Sequence, residues 1–372
     1  MSGDLIDVLI PVPLLENFTY KVPKEYKNKK LEKGLRLKVP FGNRTVTGIF
    51  WTYSDPNKSK RASYKYIKEI LDEESLLDET LLDLADWASR YYHYPLGEVI
   101  SYFFPPTLRK GAEARFRRST YWKVTDKGDF FDLSIFKRAP KQREALELLR
   151  ERGDMSQQSL KAYGISAPIL NNLAKKELIK KLSIEQAPIK SVGLETTEQK
   201  KLTREQRESI EVISKELSSN KIFLINGVTG SGKTEIYIRC IQQVLEQGKT
   251  AIMMVPEISL TPQTVERFRQ RFGDRVAILH SGLSKKERFL EWKKIHAKQV
   301  SIAVGARSAV FAPFTNLGII VIDEEHDCSY KQDSTPRYHA RDTAVMRAHS
   351  QNAIVLLGSA TPSLESIHNT QL

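Results

Sequence analysis

The chain has 372 residues, with 58 Lys and Arg against 45 Asp and Glu, a formal net charge of +13 at pH 7, and 40% hydrophobic residues. This length and apolar content predict about two or three domains with cores of their own and exclude a peptide or a disordered tail. Two distant cysteines, Cys240 and Cys328, exclude a disulfide framework and a four-thiolate zinc site. No apolar run approaches the roughly 18 residues of a membrane span, and the N-terminus lacks an export signal, so we expect a soluble cytoplasmic protein.

The positive charge is concentrated in the middle of the chain. Residues 101–200 hold 20 basic and 12 acidic side chains, whereas residues 1–100 hold 15 of each. A local basic excess is typical of proteins that bind polyanions, because Lys and Arg neutralise phosphates and release counterions. On charge alone, a merely solvated basic face is an equal alternative.

The first hundred residues predict a small β-rich domain, which we expect to extend over residues 1–110. Short segments rich in β-forming residues are separated by Pro, Gly and Asn at 5–12, 18–22, 35–39 and 46–53. They are followed by one helical pattern over 75–92, in which Leu81, Leu84 and Ala88 recur on one face. Trp87 and Tyr91 widen that apolar face, so we expect the helix to pack in a core.

The middle of the chain predicts a winged-helix domain over 111–190. Helical runs cover 141–152, 156–163 and 166–176, and a β-like run follows at 178–184. Ser156 and Ser166 are placed to cap the second and third helices, and Gly164 suits the turn between them. The third helix would carry Asn171, Asn172, Lys175 and Lys176 into a DNA major groove, although such folds also serve as protein-contact modules. A polar stretch over 186–200 follows and predicts a linker, which we place at residues 191–200, after the winged-helix domain.

From residue 201 to 372 the pattern becomes one of alternating helices and apolar runs. The runs are continuous rather than alternating, as in strands covered on both faces, which predicts an α/β lobe with a parallel sheet. They lie at 222–225, 251–255, 276–279, 300–304, 317–322 and 353–357.

The most specific motif is a phosphate-binding loop between an apolar strand and a helix. Its sequence, GVTGSGKT, satisfies G-x-x-x-x-G-K-[ST]. Glycines let backbone N–H groups wrap phosphate oxygens, the lysine reaches the outer phosphates, and the final hydroxyl is offered to Mg²⁺. The predicted nucleotide-binding residues are Gly227, Val228, Thr229, Gly230, Ser231, Gly232, Lys233 and Thr234.

A second acidic motif completes the predicted ATP site. The apolar run at 317–322 ends in Asp323, Glu324, Glu325 and His326. We expect Asp323, with Thr234, to hold Mg²⁺ and Glu324 to orient and deprotonate the attacking water, so that Lys233, Asp323 and Glu324 carry the chemistry. The alternative is an exposed acidic cap on the strand.

These motifs resemble the first RecA-like lobe of superfamily 2 helicases. The resemblance extends to GSATPS at 358–363, VPEISLTPQ at 255–263, VGARSAVFAP at 304–313 and the loop at 326–342. Three N-terminal segments, VPLLENFTYKVP, GLRLKVPFG and YYHYPLGEV, resemble the 3′-DNA-end-binding domain of primosomal replication-restart helicases.

The resemblance implies a pocket for the terminal nucleotide of a nascent strand. Phe18 would stack on the base, with Gly34 and Lys65 nearby. The family commonly carries an Asp where this chain has Thr19, and a hydroxyl binds the 3′-hydroxyl more weakly than a carboxylate does.

The resemblance also implies roles in the motor lobe. Gln206 matches the residue that reads adenine, and Ser359 and Thr361 match the motif that couples the ATP state to lobe movement. Residues that would contact DNA are Arg307, Ser308, Tyr330, Tyr338 and Arg341. The last three, with His339, lie in an aromatic-rich loop that in the family links DNA contact to hydrolysis, although its rings suit packing equally well.

The function implied is that of an ATP- and Mg²⁺-dependent 3′ to 5′ DNA helicase, which recognises stalled or branched forks with a 3′ end and initiates primosome assembly. Single-stranded DNA, single-strand-binding protein and other primosome proteins would be partners. We expect this chain to be an N-terminal portion without the second lobe and the zinc module, weak or inactive by itself. The alternatives are a DNA-binding scaffold with an inactive motor lobe, or another superfamily 2 helicase, one acting on RNA included.

Overall fold

The computed structural model of the chain describes residues 5–54, 63–114, 118–136, 139–185 and 201–371. They form two compact units, one of Met1–Ala114 with Ser191–Leu372 and the other of Arg115–Lys190. The predicted linker over 186–200 lies outside the described residues. In the described part of the chain, no helix is both long and apolar enough to cross a membrane.

An antiparallel sheet begins the larger unit, and all four predicted strands are confirmed. Its order is β2-β1-β4-β3-β5. The strands are β1 (Leu5–Leu9), β2 (Phe18–Lys21), β3 (Arg36–Phe41), β4 (Arg44–Tyr53) and β5 (Glu69–Ile70). The segment before β5 joins the two sides of the sheet and covers the β2 edge, because Ile67 N donates to Lys21 O on β2 (3.0 Å) and Lys68 N donates to Lys38 O on β3 (2.8 Å). Covering an edge removes a template for pairing with other chains.

Three helices follow this sheet: α1 (Glu79–Tyr92), α2 (Leu96–Ser101) and α3 (Pro106–Arg109). Asp78 caps α1 by accepting from Leu81 N at 2.9 Å. The prediction that Tyr91 lies on the core face is wrong. Its side chain is 57% exposed and stacks on Trp87, four residues earlier, with ring centroids 4.9 Å apart, whereas Trp87 itself packs against the core.

The three helices share their core with the C-terminal part of the chain. One hydrophobic cluster contains Leu81 and Leu108 together with Ile252 and Ile320, whereas the antiparallel sheet has a separate core. The rings of Phe103 and Phe311 lie 4.4 Å apart, and Trp292 Nε1 donates to Phe103 O at 3.3 Å. The N-terminal helices are therefore fixed against the lobe by apolar burial.

The smaller unit is the predicted winged helix. Strands β6, β7 and β8 form an antiparallel sheet in the order β7-β6-β8. Its elements are β6 (Arg118–Val124), α4 (Asp126–Asp129), α5 (Pro140–Arg152), β7 (Met155–Ser156), α6 (Gln157–Ala162), α7 (Ala167–Lys175) and β8 (Ile179–Glu185). Ser156 caps α6 by accepting from Ser159 N at 2.9 Å. Ser166 precedes α7 as predicted, but its side chain makes no capping hydrogen bond within the described residues.

The lobe from residue 201 is a six-stranded parallel sheet with helices on both faces. The strand order is β11-β12-β10-β13-β14-β9. Its strands are β9 (Ile222–Asn226), β10 (Thr250–Met254), β11 (Val276–Leu279), β12 (Ile302–Gly305), β13 (Leu317–Ile322) and β14 (Ile354–Ser359). Its helices are α8 (Arg204–Ser214), α9 (Lys233–Glu246), α10 (Pro262–Phe272), α11 (Lys285–His296), α12 (Ala340–Ser350) and α13 (Leu364–Asn369).

The six predicted parallel strands are confirmed, with one correction. β9 is an edge strand and Ile222 is 49% exposed, so this strand is not covered as expected from its apolar run. Because parallel strands end at the same side of a sheet, the loops after β9, β13 and β14 meet there. These loops carry the phosphate-loop, acidic and GSATPS motifs.

Candidate nucleotide site and nucleic-acid interface

The phosphate loop connects the edge strand β9 to the N-terminus of α9. Gly230 and Gly232 have φ values of 82° and 85°, which glycine adopts without strain. A Cβ at Gly232 would also overlap the amide nitrogen of Gln206. Backbone N–H groups and the helix dipole at this point suit an anion such as a nucleotide phosphate.

Gln206 lies in the first turn of α8 and closes one side of the same loop. Its Nε2 donates to Ser231 O (2.9 Å), and its Oε1 accepts from Thr203 N (3.0 Å) in a capping box. The cleft above the loop has a volume of about 500 Å³. Its lining includes the predicted residues Gln206, Val228, Thr229, Gly230, Ser231, Gly232, Lys233, Thr234, Asp323 and Glu324. The structure therefore brings both halves of the predicted site together, and adds Arg267 of α10, which carried no sequence signal.

Lys233 is a nearly buried cation, with only 7% of its surface exposed. Its Nζ donates to Gly227 O at 2.6 Å and lies 3.7 Å from Glu324 Oε1. The ammonium group is thus held over the loop by one carbonyl and one carboxylate, at the place where outer phosphates would bind.

Asp323 follows β13 and is held at both its backbone and its carboxylate. Tyr330 donates to its carbonyl oxygen (2.6 Å), and Tyr237 of α9 donates to Oδ1 (3.1 Å). Burial raises the pKa of Asp323, as does the nearby Glu324 charge, while the Tyr237 hydrogen bond and Lys233 lower it; the net direction is upward. A divalent cation beside this carboxylate would favour its ionised form.

His326 ties the acidic motif to the GSATPS motif. Its Nδ1 lies 2.6 Å from Ser359 Oγ, and its Nε2 lies 3.3 Å from Thr361 Oγ1. The backbones are joined as well, since Glu325 N donates to Gly358 O at 3.0 Å. This contact gives the predicted coupling residues Ser359 and Thr361 a physical connection to the ATP site, and their role stays a prediction.

Glu325 is a buried carboxylate with several donors around it. It accepts from Ser363 N (2.7 Å), Arg341 Nη1 (2.9 Å) and Ser366 Oγ (2.9 Å). Burial opposes ionisation, but the hydrogen bonds from Ser363, Arg341 and Ser366 outweigh it, so the pKa of Glu325 is lowered. Arg341 therefore links the aromatic-rich loop to the acidic motif, and its predicted contact with DNA stays a prediction.

The aromatic residues of the loop 326–342 are buried in this structure. Tyr330 is 0% exposed and Tyr338 is 5% exposed, with the Tyr338 ring 5.0 Å from that of Phe311. In this conformation the rings of Tyr330 and Tyr338 are therefore packing residues, which is the alternative that the sequence left open. Stacking on a base would require the loop to move, and remains a prediction.

The N-terminal helices hold this loop in place. The Tyr92 hydroxyl accepts from His339 N at 3.2 Å and donates to His339 O at 3.4 Å, while the Tyr102 hydroxyl donates to Thr335 O at 2.7 Å. The loop is therefore fixed between the helices that follow the antiparallel sheet and the loop that carries Asp323.

Arg307 and Ser308 begin a short helical turn, Arg307–Phe311, after β12. Arg307 Nη1 donates to the carbonyls of Ser329 (3.3 Å) and Lys331 (3.2 Å), and Ser308 is exposed. Arg347, which sequence reasoning missed, supports this turn from below. Its guanidinium donates to the carbonyls of Val310, Ala312 and Phe314, and burial lowers its pKa to about 10.

Three of the four predicted DNA-end residues lie along β2. Phe18 packs edge-on against Phe41, with ring centroids 5.2 Å apart, and Lys65 O accepts from Lys21 N (2.9 Å). Gly34 lies beside β4 instead, donating from its amide to Phe50 O. Strand β1 separates β4 from β2 in the sheet order.

Thr19 has a carboxylate next to it that sequence reasoning missed. Its Oγ1 donates to Asp7 Oδ1 at 2.8 Å, because Asp7 and Thr19 face each other across the β1–β2 pair. A carboxylate thus lies beside Thr19, on the neighbouring strand.

In the winged helix, the predicted groove-contact residues are accessible on α7 and at its end. Asn171, Asn172, Lys175 and Lys176 are all exposed. Lys176 is partly engaged, because its Nζ donates to Gln142 Oε1 (3.0 Å) and lies 4.7 Å from the centre of the Phe136 ring.

Three family models match the chain in the order of the observed domains. Residues 7–105 match a 3′DNA-binding domain (3′BD), residues 120–181 match a Primosomal protein N′-like winged helix, and residues 203–370 match a DEAD/DEAH box helicase domain. The last match covers both halves of the nucleotide site.

Curated relatives match the chain along nearly all of its length. Replication restart protein PriA of Haemophilus influenzae is 38% identical over 99% of this chain and 50% of its own length. The protein of that name from Bacillus subtilis is 37% identical over 95% of this chain and 52% of its own length. The chain spans about half the length of these relatives. With its three domain matches in this order, the chain belongs to the PriA family of replication restart proteins.

Proposed function

We propose that this chain is the fork-binding and nucleotide-binding part of an ATP-driven 3′ to 5′ DNA helicase that restarts replication at stalled or branched forks and initiates primosome assembly. The observation that carries the proposal is one cleft in which Lys233, Asp323 and Glu324 meet. The domain matches on its N-terminal side, a 3′DNA-binding domain and a winged helix, support DNA as the substrate.

The residues around the cleft fit a Mg²⁺-bound ATP. Lys233, nearly buried beside a carbonyl and Glu324, would exchange these partners for the outer phosphates. Thr234 and Asp323 would hold the metal, and Gln206 is placed at the rim to read the base. Bound Mg²⁺ supplies charge neutralisation on the phosphate oxygens.

Glu324 is the residue best placed to orient a water molecule. Its backbone lies in the left-handed region (φ 45°), an uncommon conformation that turns its side chain towards Lys233. Fast hydrolysis needs a further cation, typically an arginine, to stabilise the transition state. In related phosphoryl transfers this arginine raises the rate by about 10³ to 10⁵. We therefore propose strong hydrolysis for the longer protein and weak hydrolysis for this chain.

The antiparallel sheet would bind the 3′ end of a nascent strand. Phe18 offers a half-buried ring for stacking. Thr19 together with Asp7 offers a hydroxyl and a carboxylate to a 3′-hydroxyl, so a charge-assisted hydrogen bond is available despite the Thr at position 19. Lys65 would face a phosphate.

We further propose cytoplasmic action with single-strand-binding protein and other primosome proteins as partners. Any zinc site is proposed for a part of the longer protein outside this chain. For the chain itself we propose ATP and Mg²⁺ as ligands.

Fluorescence anisotropy with two labelled forks tests the proposal. One fork carries a leading strand whose 3′ end reaches the branch, and the other lacks that strand. The chain should bind the first fork more tightly, with an affinity that falls steeply as salt rises. Equal, weak and salt-insensitive binding to both forks would contradict the proposal, as would a longer protein that hydrolyses ATP without unwinding such forks.

A further inference from the structure

A cleft of about 310 Å³ lies between the N-terminal helices and the parallel-sheet lobe, separate from the nucleotide cleft and beside the loops after β11 and β12. One wall is the segment from Tyr102 to Arg109, and the other comes from the loops after β11 and β12 with α11. The walls are firmly joined, since Trp292 Nε1 donates to Phe103 O (3.3 Å) and the rings of Phe103 and Phe311 lie 4.4 Å apart. The cleft is therefore a fixed feature of this unit.

Three arginines border this cleft: Arg109 from the N-terminal wall, and Arg288 and Arg307 from the lobe. Within the described residues, none of them lies within 4 Å of a carboxylate oxygen. The lining contains the carboxylate of Glu257, which accepts a hydrogen bond from the Ser281 hydroxyl. Guanidinium groups gathered without acidic partners are typical of an anion site.

Arg109 and Arg288 are each held by contacts to part of the guanidinium group. Arg109 Nε donates to Phe104 O at 2.8 Å, and its guanidinium lies 4.4 Å from the centre of the Tyr102 ring. Arg288 Nη2 donates to Ser281 O at 3.1 Å. Both are half-buried, so their positions are fixed while part of each group faces the cleft. Such a fork is preorganised for phosphate oxygens.

Arg109 and Arg288 act on each other across the two walls. Burial lowers the pKa of Arg109; the Tyr102 phenol raises it, and the Arg288 charge lowers it further. Two like charges facing one space repel each other unless an anion lies between them. The lining beside the arginines is apolar and includes Phe104, Pro105 and Pro106.

We propose that Arg109 and Arg288 bind a phosphodiester of single-stranded nucleic acid in this cleft. The N-terminal helices would form one wall of the path of this strand, and Arg307 and Ser308 would contact the strand from the lobe. This inference rests on the proposed DNA-binding function and adds Arg109 and Arg288 to it. The strand would follow the fixed cleft between the two walls.

The test uses the 372-residue chain and a fluorescein-labelled oligothymidylate, titrated by anisotropy at several salt concentrations. Arg109→Gln and Arg288→Gln should each weaken binding and reduce the slope of log K against log salt by about 0.7, the value for one phosphate contact on a single strand. Arg109→Lys keeps the charge and should retain most of the slope. Arg90→Gln is the matched control, because Arg90 lies on the exposed face of α1 and pairs with Asp86.

Thermal unfolding of each variant separates lost binding from lost folding, and Arg288→Gln leaves the Tyr102 and Phe104 contacts of Arg109 intact. Folded Arg109→Gln and Arg288→Gln variants with unchanged affinity and slope would overturn the proposal. Displacement of the oligonucleotide by inorganic phosphate at constant ionic strength would also overturn it, in favour of a free-anion site. If Arg307→Gln alone weakens binding, only this inference fails; if the unaltered chain binds no oligothymidylate, the proposed function fails as well.

Discussion

The hydroxyl of Tyr237 donates a hydrogen bond to Oδ1 of Asp323 across 3.1 Å, and it occupies the space that a Cβ on residue 358 would need. Tyr237 belongs to the helix that begins at the phosphate loop, and it is fully buried. One side chain thus contacts the acidic motif and the GSATPS motif from the phosphate-loop helix. The position of Asp323 therefore depends on the fit between Tyr237 and Gly358.

Gly358→Ala should destabilise the chain by about 1 to 3 kcal/mol, the usual range for overpacking a core. The new Cβ would overlap the Tyr237 hydroxyl and displace it from Asp323. Tyr237→Phe in the same chain should restore part of the loss, because it removes the overlapping oxygen. Urea unfolding of the two single variants and the double variant measures this, and strictly additive losses would contradict the contact.

Lys233→Ala should weaken ATP binding at least tenfold, since a hydrogen bond to a charged group contributes about 1.5 to 3 kcal/mol. A titration with a fluorescent ATP analogue in the presence of Mg²⁺ measures the change. The matched control is Lys221→Ala, because Lys221 precedes β9 and pairs with Glu216 outside the cleft. Equal affinities for Lys233→Ala and the unaltered chain would mean that the site is misassigned, and oligonucleotide binding should stay unchanged in both variants.

Glu325→Gln should destabilise the chain at pH 7 and much less in acid. The folded pKa of Glu325 is lowered below its usual value of about 4.3, so its ionised form stabilises the native state. That contribution is present above the usual pKa and is lost as the pH falls through the lower folded value. Unfolding free energies of the two chains, measured from pH 7 into the acid range, should therefore converge.

Arg341→Ala tests the same buried carboxylate from its partner's side. The loss should be about 3 kcal/mol at neutral pH, because removing one partner leaves a buried charge with too few donors. Asp342→Asn is the control, since Asp342 also contacts Arg341 but is partly exposed. A loss independent of pH in both Glu325→Gln and Arg341→Ala would show that packing, not charge, holds this contact.

Phe18→Ala should weaken binding to forks that present a 3′ end at the branch and leave other forks nearly unaffected. Base stacking on an aromatic ring contributes about 1 to 3 kcal/mol, so we expect a loss of about fivefold or more on the first substrate. Anisotropy with the two fork types measures it. Phe41→Ala is the comparison, because it removes the ring against which Phe18 packs. Uniform losses in both variants on every fork would place Phe18 in the domain core instead.

Lys175→Gln should weaken binding to duplex DNA and reduce the slope of log K against log salt by about 0.9, as expected for one lost phosphate contact. Lys175 is exposed at the end of α7. Lys161→Gln on the preceding helix is the control, since Lys161 is exposed but lies outside the third helix. An equal effect from both variants would indicate a diffuse basic surface rather than a recognition helix.

The parallel strands and the phosphate loop could be predicted because their signals are local. A continuous apolar run such as 317–322 identifies a strand without its neighbours, and the spacing from Gly227 to Thr234 is a complete motif. Strand order is not local, so the edge position of β9 and the exposure of Ile222 were not predictable.

The contacts that depend on distant residues were also out of reach. Asp7 lies opposite Thr19 only through the register of two strands, and Arg347 meets three carbonyls from a segment more than thirty residues away. Tyr338 lies with Tyr92, Tyr102 and Phe311 where the N-terminal helices dock on the lobe, and no periodicity reveals that docking.

The aromatic-rich loop has a consequence for measured affinities. Tyr330 and Tyr338 are both buried, Tyr338 beside Tyr92, Tyr102 and Phe311, and exposing one buried aromatic side chain costs about 1.5 to 3 kcal/mol. A strand that stacks on these rings can bind only the small fraction of molecules in which the loop is released, and the observed dissociation constant exceeds the intrinsic one by the reciprocal of that fraction. Substitutions that remove the hydrogen bonds of Tyr92 or Tyr102 to the loop would then tighten binding of such a strand, although neither residue need contact the strand. Tyr92 and Tyr102 would thus control how readily the loop is released for DNA.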